Sequence, residues 1–381
     1  MYDLILYDTS NFRDFPMGGQ LTSIRNFLKY VAACRPEAAK RILLVGITDD
    51  PAAVGKVGCV EVDQTSFAVL PVLCRERDLA NVKKSLRLEY VKGLFRHRKQ
   101  IPSGKGIVHY IHTPEAYLVV KLLHPAARTA IFSHGSFFNM VQNFRFFQNN
   151  RLIRVLFEQF LVLLLKTADL IFVLDSDSEN QYRKYTKKVV RVENSIVLPE
   201  NRMLRKECGI PVRLLFVGRL SRVKGIDGLL EAMTRLWGKA HLTIVGDGEE
   251  RAALEKLVEE KQLQDAVCLA GSCTPEEVQT YYRSSDILVM NSSMEGKPMV
   301  ILEAMSYGLP VLTTPVGGIP ELVRQGQEGE YTDGTPEQIA VKLEMIRDKY
   351  HFYGENALKQ ACMYDYRRIN GTVFEKISEI Q

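Results

Sequence analysis

Short apolar runs alternate with stretches of helical period along the whole chain. "DLILYDTS" opens it as a strand, and "RILLVGIT", "GIVHYIHT", "TAIFSHG" and "LIFVLDS" follow. Amphipathic helices such as "QLTSIRNFLKYVAAC" lie between them. A second set begins at "VRLLFVGRL" and continues through "HLTIVGDG", "AVCLAGS", "DILVMNS" and "GLPVLTTP". Strand and helix in alternation predict parallel βαβ units, and two such series predict two open α/β sheets. Their boundary falls at "VLPENRMLRKECGIP", which is polar and contains Pro199 and Pro211. The reading gives an N-terminal domain over 1–205 and a second domain over 206–351. A helical tail of about 352–381 follows.

The densest apolar run, "LIRVLFEQFLVLLLKTADLIFVL", is interrupted by Arg154, Glu158, Lys166 and Asp169. A spanning helix needs roughly 20 mostly apolar residues, so this run is expected to be a buried helix and then a buried strand.

Length agrees with two cores, because 381 residues exceed what one usually serves. The 46% apolar and 25% charged content is that of a globular domain protein. Seven cysteines show no C-x-x-C pair, which fits reduced thiols in a cytosol-like compartment. "MYDLILYDTS" has no basic region followed by an apolar core, so no signal peptide is expected and the expected location is cytoplasmic. Charge is uneven: residues 1–205 carry 30 Lys/Arg against 19 Asp/Glu, and the remainder 20 against 26. One-signed charge on one half suggests an anionic partner or surface.

Residues 75–105 sharpen this, with ten Lys/Arg and three Asp/Glu. Val82, Leu86, Tyr90 and Leu94 recur every fourth position there, predicting a basic amphipathic helix. Such a helix over 79–99 fits an anionic membrane surface and peripheral attachment to an inner leaflet. A solvated basic face is the alternative. The basic half carries no nucleic-acid recognition motif.

Ligands of open α/β sheets bind outside the carboxyl ends of the strands, so chemistry is expected just after strands. "MNSSMEGKPMVILEAMSYG" places Glu295 in a loop and Glu303 on the helix that follows. Pro298 suits the first helical turn and Gly308 a left-handed cap. The amides of Met299, Val300 and Ile301 would then form an anion site. Taken alone, two acids at this spacing are more simply read as solvated. In "LLFVGRLSRVKG", Arg219 and Lys224 suit a pyrophosphate or are surface cations. Gly18 and Gly19 in "FPMGGQLT" allow close approach to a ligand or make a plain turn. His134 ends a strand in "FSHG", with His109 and His112 as weaker candidates.

Two stretches imitate other sites. "IVGDGEER" lacks the third glycine of a dinucleotide fingerprint, since Arg251 stands there. Asp175, Ser176 and Asp177 imitate an Asp-x-Asp metal motif and read more economically as helix-capping residues.

Taken together, "FVGRL…KG", "IVGDG", "SSMEGKPMVILEAMSYGLPVLTTPVGGIPELV" and "FSHG" resemble glycosyltransferase family 4. The resemblance is dense over 212–325. It implies the GT-B architecture, two Rossmann-like α/β domains facing a central cleft, and a retaining enzyme using a nucleotide-diphosphate sugar. It implies that Glu295 lies near the donor sugar and Glu303 on the ribose. Arg219 and Lys224 would hold the diphosphate, Gly18 and Gly19 would lie beside the phosphates, and His134 near the reaction centre. It likewise implies base contacts along Gly271 to Cys273, donor contacts at Gly296, Met299 and Val300, and a terminal helix crossing back to the first domain.

The segment "ENSIVLPE" departs from the family pattern by lacking its glycine and aspartate, and Lys297-Pro298 is another departure. Lys297 would add charge beside the phosphates. No metal and no cofactor is expected, because protein cations would stabilise the leaving diphosphate. The expected acceptor is a glycan or lipid-linked saccharide in cell-surface polysaccharide or glycolipid synthesis, with UDP- or GDP-sugar as donor. The alternatives are a nucleotide-sugar epimerase or hydrolase on this fold, or a catalytically silent binding subunit.

Overall fold

The structure is a computed structural model that describes residues 2–13, 19–75, 85–134, 151–200, 204 and 206–381. The chain divides into two compact units, Met1–Ser195 with Tyr366–Gln381, and Ile196–Asp365.

The first unit contains β1 (Leu4–Asn11), α1 (Gly19–Cys34), α2 (Pro36–Ala39), β2 (Ile42–Thr48), β3 (Gly58–Val62) and β4 (Thr65–Cys74). It continues with α3 (Leu86–Arg96), β5 (Val108–Ile111), α4 (Pro114–Leu123), β6 (Arg128–Ser133), α5 (Arg151–Thr167), β7 (Leu170–Val173), α6 (Ser176–Arg183) and β8 (Val189–Arg191). The strands are ordered β3-β4-β2-β1-β5-β6-β7-β8, with only β3 antiparallel to its neighbour. Alternate residues of each strand point to opposite faces. Ile5 and Tyr7 therefore pack with Tyr90, Tyr117 and Leu164, while Leu4 and Leu6 pack with Ile24 and Phe27. Helices covering both faces explain why these strands are almost wholly apolar.

The β3–β4 hairpin is absent from the sequence reading. Its two-residue turn is Asp63-Gln64, both at positive φ (47° and 63°). Such turns usually announce themselves by Asn-Gly or Asp-Gly, and glutamine concealed this one.

Helix α3 revises the membrane reading of 79–99. Of the expected apolar stripe, Val82 lies outside the described residues, as do Lys83 and Lys84. Tyr90 and Leu94 are fully buried, and the Tyr90 hydroxyl donates to the Val45 carbonyl at 2.7 Å. The stripe is core. Those two side chains are not free for lipid, Leu86 is half-buried, and the solvent side of α3 carries Leu88 beside Lys92 and Arg96.

The second unit contains β9 (Val212–Val217), α7 (Ile226–Arg235), β10 (Ala240–Val245), α8 (Arg251–Glu260), β11 (Val267–Gly271), α9 (Pro275–Ser284) and β12 (Ile287–Met290). Then come α10 (Met299–Ser306), β13 (Val311–Thr313), α11 (Ile319–Leu322), β14 (Gly329–Tyr331), α12 (Pro336–Asp348) and α13 (Tyr350–Cys362). Its six parallel strands are ordered β11-β10-β9-β12-β13-β14. Ala357 and Ala361 of α13 pack with Leu302 and Ala304 inside this unit. Only the last helix, α14 (Tyr366–Glu379), joins the first unit, where Tyr366, Val373 and Ile377 pack with Phe27 and Tyr30. The segment that returns is thus shorter than the expected 352–381, and the first unit ends at 195 rather than 205.

Strand order reverses once in each sheet, between β1 and β5 and between β9 and β12. Crossovers leave those two points in opposite directions, so the flanking loops diverge and open a crevice. Candidate residues cluster at both.

Candidate functional site

In the second unit the crevice is bordered by the loops after β9 and β12. Pro298 is extended and caps α10 from outside rather than lying in its first turn. The Ile301 amide donates back to the Pro298 carbonyl at 3.3 Å, leaving the amides of Met299 and Val300 at the helix mouth. At the other end Gly308 takes φ 77°, and the amides of Gly308 and Leu309 reach the carbonyls of Met305 and Ala304. This is the left-handed termination the sequence predicts.

Lys224 and Glu295 meet across the crevice. The Lys224 Nζ lies 2.6 Å from Glu295 Oε1, with both side chains largely shielded at 20% and 8% exposure. The Ser292 hydroxyl donates to the same oxygen at 2.7 Å. Lys224 is held there by backbone. It ends a single 3₁₀ turn closed by Gly225 at φ 59°, and the Ser293 amide donates to the Val223 carbonyl at 2.8 Å. Asn291 Nδ2 donates to the Gly225 carbonyl at 3.1 Å and more distantly to that of Gly334. A side chain at 225 would meet the Asn291 carbonyl at 2.2 Å, so only glycine allows this approach.

The Glu295–Gly296 turn is backed by a second pair of glycines. Gly317, at φ 56°, leaves no room for a Cβ, which would fall 1.8 Å from the Glu295 carbonyl. The Gly318 amide donates to the Gly296 carbonyl at 2.8 Å. Lys297 turns away from α10: its Nζ pairs with Glu321 at 2.6 Å and its side chain is 5% exposed. It therefore does not add the charge that its position in sequence suggests.

Glu303 lies one turn along α10 and accepts from the Tyr282 hydroxyl at 2.9 Å. Tyr282 is buried and stacks on Tyr307. Burial raises the Glu303 carboxyl above the usual carboxylate range, and the tyrosine hydrogen bond partly offsets it. Arg219 is placed differently. It is exposed, and its Nε pairs with Glu249 at 3.1 Å, not with the Lys224–Glu295 pair.

Gly271, buried at φ 80°, accepts from the Gly246 amide at 2.8 Å and from the Cys273 thiol. Gly246 in turn lies against the Gly218 carbonyl and Gly248 against that of Leu220. The glycines of "IVGDG" thus let three strand ends pack backbone to backbone.

The crevice of the first unit gathers Asp8, His112, Thr113 and His134. Asp8 is buried and accepts from Ser10, from Gln20 at the start of α1, and from Thr113 at 3.4 Å. Burial pushes its carboxyl up to about 6, against the lowering effect of those donors. His112 Nδ1 and His134 Nε2 lie 2.8 Å apart. His112 Nε2 is buried without a partner. A bare lone pair is tolerated there better than an orphaned N–H, so His112 donates from Nδ1 and His134 carries its own proton on Nδ1. Burial holds His134 down at about 3 and His112 well below its ordinary value, so the pair is neutral near pH 7. His109 is buried against the Tyr7 hydroxyl at 2.8 Å and belongs to the core. Gly18 lies outside the described residues, and Gly19 opens α1. Asp175 caps α6, accepting from the Ser178 amide at 2.7 Å.

Sequence reasoning missed Asn291, Tyr282, Asp8 and the support given by Gly317-Gly318. The glycine pair was in view in "PVGGIPE". Asn291 and Tyr282 act across 66 and 21 residues and left no local signal.

Residues 208–359 match the family model described as glycosyl transferases group 1. This segment is a group 1 glycosyltransferase domain. It includes every candidate site residue of the second unit described above. Sulfoquinovosyl transferase SQD2 of Arabidopsis thaliana is 29% identical over 198 residues, half of this chain and 36% of that protein. The chain likewise spans less than two thirds of the other curated relatives compared. Among solved structures, sucrose-phosphate synthase from Thermosynechococcus elongatus superposes with TM-score 0.73 at 18% identity, covering 99% of each chain. HepE of Anabaena in complex with UDP superposes with TM-score 0.68 at 17% identity over the whole of both chains. The group 1 domain and the first unit therefore share the GT-B fold of these enzymes.

Proposed function

We propose that the chain is a retaining glycosyltransferase that moves a sugar from a nucleotide-diphosphate donor to a hydroxyl of a glycan or lipid-linked saccharide. The observation that carries this reading is the Lys224–Glu295 pair at the strand-order reversal of the group 1 domain, beside the mouth of α10. UDP bound to a structural neighbour supports a nucleotide donor.

Departure of a nucleoside diphosphate adds negative charge while the sugar becomes oxocarbenium-like, so fixed positive potential at the leaving group lowers the barrier. Lys224 Nζ and the Met299 and Val300 amides supply it. Glu295 holds Lys224 in register and faces the sugar once the lysine turns to phosphate. Glu303 accepts the ribose hydroxyls, with Tyr282 fixing its rotamer. Arg219 breaks its exposed pair with Glu249 to reach the diphosphate. Gly271 and Cys273 line the base. In the first unit His134 presents Nδ1–H as a neutral donor in the transfer. The roles of Gly18 and Gly19 beside the phosphates rest on the resemblance.

The test is release of nucleoside diphosphate from UDP- and GDP-sugars with a glycan acceptor mixture. Glu295→Gln is expected to lower turnover by roughly 10²–10³-fold, the usual cost of removing a preorganised polar group. Undiminished release would overturn the site. Release without any acceptor would favour the hydrolase reading.

A further inference from the structure

Helix α5 is apolar on two opposite faces, one buried against the sheet and the other exposed. Leu161, Leu164 and Leu165 are fully buried against the sheet. On the other side Leu152, Val155, Leu156 and Leu163 stand in solvent, at 69%, 41%, 61% and 57% exposure. Their spacing of three, four and seven residues places them on one arc of the helix, which Gln159 and Lys166 complete. Isolated exposed leucines are ordinary. A helical stripe of four is not.

The neighbouring helices extend the stripe. Helices α3, α4 and α5 cover the same face of the sheet, since Tyr90, Tyr117 and Leu164 enter one core cluster. The Tyr117 hydroxyl and Thr167 Oγ1, 2.5 Å apart, tie α4 to α5. Leu118 and Leu122 of α4 point outward, and so do Lys92 and Arg96 of α3. Two nearby acids are already countered, Glu115 by Arg87 at 2.9 Å and Glu158 by Arg154 at 3.9 Å, and Glu89 of α3 stands against the three cations Lys92, Arg96 and Lys166. Among the described residues, the outer surface of this three-helix layer is thus aliphatic with a net basic border.

We infer that this outer face of α4 and α5 docks on an anionic lipid bilayer. Aliphatic side chains enter the acyl boundary while lysine and arginine stay at the headgroups. Association with a second copy is the competing occupant, and two observations disfavour it. Protein interfaces are enriched in aromatic residues and methionine, whereas the exposed apolar residues here are leucine and valine. A twofold contact would also set this basic border against itself. The inference replaces the buried stripe of α3 with a stripe that is free to bind. It does not depend on the donor reading.

The experiment is cosedimentation of the full chain with vesicles of phosphatidylcholine alone, or of equal parts phosphatidylcholine and phosphatidylglycerol. The wild type is expected to bind the mixed vesicles, with binding weakened by salt. Leu152→Ser, Leu156→Ser and Leu163→Ser combined should lower that binding by at least about tenfold, each loss removing apolar area from the membrane. Lys92→Glu with Lys166→Glu should weaken binding to the mixed vesicles only. Thermal melting and UDP binding serve as controls that the leucine variant remains folded and that the donor site is independent. Unchanged partitioning of the leucine variant would overturn the proposal. So would absence of vesicle binding together with a dimer, seen by light scattering, that the leucine variant abolishes.

Discussion

Lys224 and Glu295 form an ion pair that is shielded without being sealed. Each is held by a backbone device: a left-handed glycine behind the lysine and a glycine pair behind the glutamate. A pair in this setting is costly to break from one side, because the remaining charge stays desolvated. Lys224→Met is expected to lower stability by about 1–3 kcal/mol in urea unfolding, the lower end reflecting residual solvent screening. Asp8 acts in the opposite sense. Its carboxyl titrates at about 6 in the fold against an ordinary 3.8. Between those values the folded chain keeps a proton that the unfolded chain releases, so stability from this group falls as pH rises through the window. The difference amounts to about 3 kcal/mol at most. Unfolding of Asp8→Asn followed from pH 4 to pH 7 should lack that decline relative to wild type. Residues in the loops that follow strands, such as His134, Lys224 and Glu295, were readable from position alone. Arg219 shares that position and yet lies exposed on Glu249, because sequence position fixes where a side chain starts and not which partner it meets.

At the scale of elements, the site is two loops fitted against one another rather than one motif. The loop after β12 is buttressed by the loop after β13, with Gly317 against the Glu295 carbonyl and Gly318 donating its amide to the Gly296 carbonyl. Gly317→Ala would force a Cβ into that carbonyl from a backbone conformation that alanine avoids, at a cost of about 1–3 kcal/mol. It should also abolish nucleotide-induced thermal stabilisation, which separates loop displacement from a mere loss of stability elsewhere. The strands and their order of occurrence could be read from the apolar runs. The antiparallel β3 could not, because its turn lacks glycine. The amphipathic pattern of α3 was readable too, but periodicity does not say whether an apolar stripe faces protein or lipid. Packing of Tyr90 under Val45 decides that.

At the scale of the molecule, the chain leaves the first unit at Ser195 and returns to it at Tyr366. Helix α14 is therefore part of the first unit's core, although it is encoded after the second unit. Removing residues 366–381 strips three buried apolar side chains, Tyr366, Val373 and Ile377, from Phe27 and Tyr30. At about 1.5–3 kcal/mol each, this should unfold the first unit, while calorimetry still shows a transition for the group 1 domain. The central claim is that this domain holds a nucleotide diphosphate through Lys224. Thermal shift with a panel of nucleoside diphosphates and their sugars tests it most directly. At a hundredfold excess over Kd, ligand adds about 2.7 kcal/mol, or roughly 5–10 °C for a unit of this size. The account predicts such a shift for at least one nucleotide, loss of the shift in Lys224→Met and its retention in His134→Ala. No shift with any nucleotide, or an equal shift in Lys224→Met, would contradict it.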